Sequence, residues 1–504
     1  MTTAALGSGT STGDLRRPQL LAVGAALLIL AAVGAGASAV SVTALAAGVA
    51  GFAATHHWLL RWRTLLLIVI AAILFIPMKR YTLFPGALPF QLEPYRMIIA
   101  GVALGWLGTV LIDPATRIRG IGVERPFWAF IGATLLSVAA NAGRVSELGV
   151  SDVVLKKVTF LVSFCLIAYL VSSTIVRSRD VDALVKLLVG GGAVITLAAL
   201  YESRTGVNWF DDLHRIIPPL RFTPEVISET AVGRGGRLRA FASAEHPIAL
   251  SAALAMLIPF GIYLGMKTRR WHWWGATALL AIGVVATVSR TGIMMLLAVL
   301  VVYAILRPAA TRRALPAVLP VLVVIHLALP GSLGALKKSF FPEGGLVAQQ
   351  QGAAGSRGSG RLADLGPGIA EWSRTPLFGQ GYGTRITDLG DPRENAQILD
   401  NQWLGTLLEG GLLAFLALIW LFARAVRRLG RLAKRDQTAH GWLLTGLAAS
   451  ITAFGVGMFT FDAFSFSQVT FLFFIALGLT GPALRRAAEL RAVTQEWQPR
   501  PVGG

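Results

Sequence analysis

What most constrains this chain is its succession of long apolar runs. Fourteen stretches carry very little charge: 20–38, 40–55, 64–77, 94–112, 126–142, 157–176, 181–200, 246–266, 274–289, 291–306, 316–330, 403–423, 441–459 and 465–481. A helix of roughly 17–25 residues crosses the hydrocarbon layer, and several of these runs sit at or below that length. A backbone inside lipid must satisfy its own hydrogen bonds, so such runs fold as helices. The expectation is an all-α polytopic membrane protein with about 12–14 transmembrane helices. Only 14% of the 504 residues are charged, against about a quarter in a soluble domain.

A net charge of +20 invites a nucleic-acid partner, but its distribution removes that reading. The basic residues gather in alternate short connections: Arg61 and Arg63, Arg117 to Arg125, Arg177 and Arg179, Lys267 to Arg270, Arg307 to Arg313, and Arg424 to Arg435. This is the positive-inside pattern. It predicts a multi-pass protein of the cytoplasmic (inner) membrane, surrounded by membrane lipids, with both termini cytoplasmic. Arg16 and Arg17 before an apolar run resemble a signal peptide, but the hydrophobicity continues, so a retained first helix is expected. The organisation reads as a cytoplasmic tail (1–19), a transmembrane scaffold (20–200), an external loop (201–245), helices (246–330), a large external loop (331–402), further helices (403–481) and a second tail (482–504).

Both long loops fall on the outer side, yet they are rich in arginine, which opposes the charge rule and points to use. A guanidinium fork suits phosphate. Arg237 and Arg239 precede a helix start at Pro247, where a helix N-terminus also favours anions. His246 stands at the mouth of that helix, as a cap or a packed ring more readily than a catalyst. Arg290 interrupts an apolar stretch and needs a partner or a wet cavity. In the larger loop, Leu362, Leu365, Ile369 and Trp372 recur at helical spacing, with Gly366-Pro-Gly368 placed to interrupt the helix. Gly379, Gly381 and Gly383 predict a tight bend with room for a ligand. Asp400 is placed to cap the next helix, and Glu409, two turns deeper, should face the interior or pair with a cation. The segment 78–96, with Lys79, Arg80, Glu93 and Arg96, reads as interfacial anchoring. Cys165 is the only cysteine, so no internal disulfide can form. No metal-ligand spacing, nucleotide loop or dinucleotide fingerprint occurs, and neither metal nor cofactor is expected.

Three blocks carry a resemblance. They are Arg239-Ala-Phe-Ala-Ser-Ala-Glu-His-Pro247, Val288-Ser-Arg-Thr-Gly292, and Gly360-Arg361 through Pro376-Leu-Phe-Gly-Gln-Gly-Tyr-Gly383 to Asp400-Asn-Gln-Trp-Leu and Leu408-Glu-Gly-Gly-Leu412. In order and spacing, over about residues 230–425, the chain resembles the O-antigen ligase and polymerase family of polytopic glycosyltransferases. The resemblance implies a polyprenyl-diphosphate-linked glycan donor, a glycan, lipid or protein acceptor, and transfer at the outer face. It implies Asp400, Arg290 and Arg239 as catalytic residues and Arg237, His246, Arg361, Arg385, Asn401 and Glu409 as substrate-binding ones. One position departs from the family: the ligases place histidine directly before the Asn of the third block, and this chain has Asp400. A carboxylate also serves as general base to a hydroxyl. Ligase and repeat-unit polymerase remain alternatives. A transporter or flippase of lipid-linked glycans is the competing class, and it commonly shows internal repeats, which this sequence lacks.

Overall fold

The computed structural model describes residues 61–82, 93–114, 116–217, 220–223, 233–234, 237–329, 331–342, 344–345, 364–385 and 399–496. The two earliest expected spans and Arg361 lie outside these residues. The description concerns essentially the unit Leu66–Gly504.

From residue 62 onward each expected span is a helix. They are α1 (Trp62–Phe75), α2 (Pro94–Ile112), α3 (Glu124–Ala140), the short α4 (Ala142–Glu147), α5 (Ser151–Thr174), α6 (Ser178–Thr205), α7 (Pro247–Thr268), α8 (Trp271–Ala286) and α9 (Arg290–Leu306). Then come α10 (Pro308–Ala314), α11 (Val318–Ala328), α12 (Ser332–Phe340), α13 (Leu365–Trp372), α14 (Gln402–Arg435), α15 (Ala439–Gly457) and α16 (Ser467–Glu496). Among the described residues, eight helical segments are long and apolar enough to cross a membrane. The protein is an all-α polytopic membrane protein. Its described strands are two-residue pairs: Tyr81–Thr82 runs antiparallel to Arg221–Phe222, and Gly233–Arg234 to Arg237–Leu238.

Helix boundaries depart from expectation where charge alone was the guide. α14 runs through Arg424–Arg435, and α16 passes Pro482 to Glu496. Charged side chains are compatible with helix outside the bilayer, so the basic stretches extend helices rather than ending them. Gly366-Pro-Gly368 does not interrupt α13 either. It forms the first turn, where a missing N–H costs nothing.

The centre of the bundle is α7 and α16. α7 is lined with small side chains, Ser251-Ala-Ala-Leu-Ala, which let α6, α8, α9, α15 and α16 pack against it. Close backbone approach is the main route to helix association where lipid is as apolar as the side chains. Aromatic stacking joins α14, α15 and α16. The Phe473 ring lies 4.4 Å from Phe454 and 5.1 Å from Phe422. The stretch Pro308–Leu327 is almost wholly uncovered by protein. Its exposed Leu319, Leu322 and Leu327 are at home in lipid. The helices alternate in direction, so the starts of α5, α7, α9, α14 and α16 share one face with the ends of α6, α8 and α15. This is the loop face.

Candidate active site at the loop face

The block 239–246 is folded against the bundle by buried charge. Arg80 is 1% exposed and pairs with Asp211 at 2.7 Å. It also donates to the carbonyls of Ala242 and Ala244 and lies over the Phe241 ring at 4.8 Å. Burial pulls its pKa down, opposed by Asp211. From the other side the Glu202 carboxylate accepts the amides of Phe241 (3.2 Å) and Ala242 (2.7 Å). Asn208 donates to the Ala242 carbonyl at 3.0 Å. So held, Ala242 adopts φ +44°, a left-handed conformation that costs an ordinary residue ~1–2 kcal/mol. The segment 78–96 is therefore not merely an anchor: Arg80 reaches 162 positions along the chain to build this loop.

Arg239 leaves the loop buried, 6% exposed, and donates through Nε to the Thr287 carbonyl at 3.1 Å. Thr287 closes α8, and Val288, the next residue, is again left-handed at φ +47°. Arg290 then opens α9, half-buried, and donates to the Ser339 carbonyl of α12 at 3.3 Å. The structure thus brings Arg239 and the turn bearing Arg290 together. His246 caps α7, its Nδ1 accepting the Ile248 amide at 3.1 Å, and its ring lies 5.7 Å from Phe466. Arg237 sits in the short strand pair.

The glycine bend is occupied by the protein itself. Gly379, Gly381 and Gly383 have φ of +64°, +103° and +92°. The bend inserts into a break in α14 at Gly411, φ +68° and ψ −170°. There the Gln380 and Gly381 amides donate to the Leu408 and Glu409 carbonyls at 2.9 and 3.0 Å, and the Leu412 amide returns to the Pro376 carbonyl at 2.9 Å. A Cβ on Gly379 would lie 2.5 Å from the Leu408 oxygen. The expected ligand space is filled by helix backbone. Ser137 of α3 adds a bond to the Glu409 carbonyl at 2.6 Å.

Two carboxylates organise the rest. Glu409 pairs with Lys157 of α5 at 3.2 Å, as a buried acid in a bundle must. Lys157 also donates to the Arg385 carbonyl at 2.8 Å. Arg385 is 6% exposed and pairs with Glu371 of α13 at 3.1 Å. The cap of α14 is Asn401, which accepts the Leu404 amide at 3.2 Å. Asp400, half-buried, stands one residue earlier, so capping belongs to its neighbour. The start of α14 is tied to the α15–α16 connection, with the Gln402 amide on the Met458 carbonyl at 2.8 Å. That connection touches α9 through Thr460 and Thr291 at 2.8 Å. All three blocks therefore meet at the loop face.

Beside Asp400 opens a cleft of about 270 Å³. Glu409 and Arg385 line it, whereas Arg239, Arg290 and Asp400 do not. Lys79, Lys157, Asp462 and Phe464 also line it. Sequence reading passed over Lys157 and Asp462, and the only available signal was polar residues at helix ends facing the loop side. Among the described residues no three of His, Cys, Asp and Glu gather as a metal-binding group.

Many apolar helices, with buried arginines and a charged cleft at one face, define a multi-pass membrane protein. Residues 275–419 match the family model described as O-Antigen ligase. That match supports a membrane enzyme family that handles glycans in polysaccharide biosynthesis. The match includes the Arg290 turn, the glycine bend and the start of α14, and leaves Arg239 and Arg80 outside. No curated protein matches the chain.

Proposed function

We propose that the protein is a glycosyltransferase that transfers or polymerises a glycan from a polyprenyl-diphosphate donor at the outer face of the cytoplasmic membrane. The observation that carries this reading is the meeting of Arg239 with the turn of Arg290, linked through Thr291 and Thr460 to the start of α14. The outward placement of this face is supported by the arginines of α14, Arg424 to Arg435, which lie at the opposite end of that helix.

In this reading Arg239 and Arg290 bind the diphosphate with Arg237, and the lipid chain lies among the helices. An acceptor hydroxyl attacks the anomeric carbon. The new C–O bond forms as the bond to the diphosphate breaks, and the departing diphosphate keeps the electron pair. Fixed guanidinium groups stabilise that charge as it grows. The hydroxyl proton passes to the Asp400 carboxylate as general base. His246 and Asn401 shape the site as caps of α7 and α14.

The test is purified protein in lipid nanodiscs with a polyprenyl-diphosphate glycan and an acceptor. Free polyprenyl diphosphate and a glycosylated acceptor are expected. Asp400→Asn should lower transfer by ~10²–10⁴ with thermal stability unchanged, because Asn401 is the cap. Wild-type transfer in this variant would remove Asp400 from the chemistry. Failure of the native protein to release polyprenyl diphosphate would remove the reading itself.

A further inference from the structure

We infer that the cleft beside Asp400 is a saccharide subsite that receives the acceptor sugar, distinct from the arginine pair; this assignment to the acceptor rests on the transferase reading above. The volume, about 270 Å³, falls just under the ~300–1,000 Å³ of sites that enclose drug-sized ligands. It therefore has room for one sugar residue.

Of the four cations that line the cleft, three are already compensated, and the fourth, Lys156, is an exposed side chain. Lys79 pairs with Glu245 at 3.0 Å, Lys157 with Glu409 at 3.2 Å, and Arg385 with Glu371 at 3.1 Å. A diphosphate would have to compete with carboxylates already in contact with these groups. A sugar hydroxyl meets no such opposition, because it both donates and accepts and can bridge an ammonium to a carboxylate. Asp462 completes the polar set, its carboxylate accepting the Ser465 hydroxyl. Burial pushes its pKa up, opposed by Lys157. Phe160, Tyr382 and Phe464 supply rings among these polar groups, the mixture of apolar wall and few oriented polar groups that small-molecule sites use.

Position assigns the sugar to the acceptor. Leu399 and Gln402 line the cleft and bracket Asp400 and Asn401 in the chain. The proposed base therefore stands at the lip of the cleft, while Arg239 lies against the Thr287 carbonyl after α8 and Arg290 opens α9. An acceptor sugar in the cleft presents its hydroxyl at that lip.

The experiment is saturation-transfer NMR on the full-length protein in nanodiscs, with the methyl glycosides of glucose, galactose, rhamnose and N-acetylglucosamine as probes. At least one glycoside should receive saturation on its ring protons. Asp462→Ala should weaken that binding roughly tenfold or more, as expected for a lost hydrogen bond to a charged group. Phe160→Leu, which keeps an apolar side chain in place, should diminish the ring-proton signal. Inorganic pyrophosphate should not displace the sugar, and Arg239→Lys should leave its binding intact. The subsite is overturned by absence of saturation from every glycoside, by displacement with pyrophosphate, or by unchanged binding in both cleft variants. Loss of sugar binding in Arg239→Lys overturns its separateness, and displacement by the lipid-linked donor overturns the assignment to the acceptor. Sugar binding in a protein that transfers nothing would leave the subsite standing and remove the transferase reading.

Discussion

Two loops at the same face solve one problem in opposite ways. Both 239–246 and 376–385 need backbone in the left-handed region. The second assigns those positions to glycine and secures itself with main-chain bonds into the break of α14. The first places Ala242 there and forces it with Arg80, Glu202 and Asn208. One loop is therefore defined by what side chains it lacks, the other by charged side chains brought from distant helices. Strain held by surrounding structure is characteristic of functional segments, and it falls on the loop that carries Arg239.

The sharpest way to break the comparison is Gly379→Ala. Its Cβ meets main-chain oxygens of Leu408 and Glu409 at 2.5 and 2.6 Å, which cannot move without undoing α14. Loss of monodisperse protein on size exclusion is expected, and a normal yield would mean the bend does not dock as described. Arg80→Met should come next. Breaking a buried ion pair costs about 3–5 kcal/mol. The lower end applies because Asp211 is 32% exposed, and thermal unfolding would register it. An unchanged transition would show that Arg80 does not hold the loop. Asn401→Ala should cost ~1 kcal/mol as a lost cap, whereas Asp400→Ala should leave stability nearly untouched; equal losses would return capping to Asp400. The smallest effect, and the one that most sharpens the contrast, is Ala242→Gly. Relief of left-handed strain should offset glycine's greater unfolded-state entropy, so stability should stay within ~1 kcal/mol. A larger loss would show that Ala242 is not strained.

The helices were legible because lipid imposes a simple rule on apolar runs, and the run 94–112 is α2 to the residue. What was not legible depends on long-range partnership. Arg80 looked like an interfacial anchor because nothing nearby in sequence announces Ala242 or Asp211. The glycines correctly signalled a tight bend, but sequence does not say whether ligand or backbone fills the space they open. The cap was misplaced by one residue because Asp and Asn cap about equally well, so adjacent Asp400 and Asn401 carry the same signal. Glu409 was rightly expected to pair, and its partner Lys157 lies 252 positions away.

The break in α14 has a mechanical consequence. The carbonyls freed at Leu408 and Glu409 are taken up by the inserted bend and Ser137, and the Leu412 and Leu413 amides beyond the break return to the Pro376 and Leu377 carbonyls, so the bend clamps both sides of Gly411. The bend is thus a splint laid across the break and not one arm of a hinge. Asp400 precedes the splinted stub, residues 402–410, and the salt bridge from Glu409 to Lys157 moors that stub as well. The residue before the cap of α14 is therefore carried by a stub fixed at Gln402, at Glu409 and along the bend, and not by the free end of a long helix.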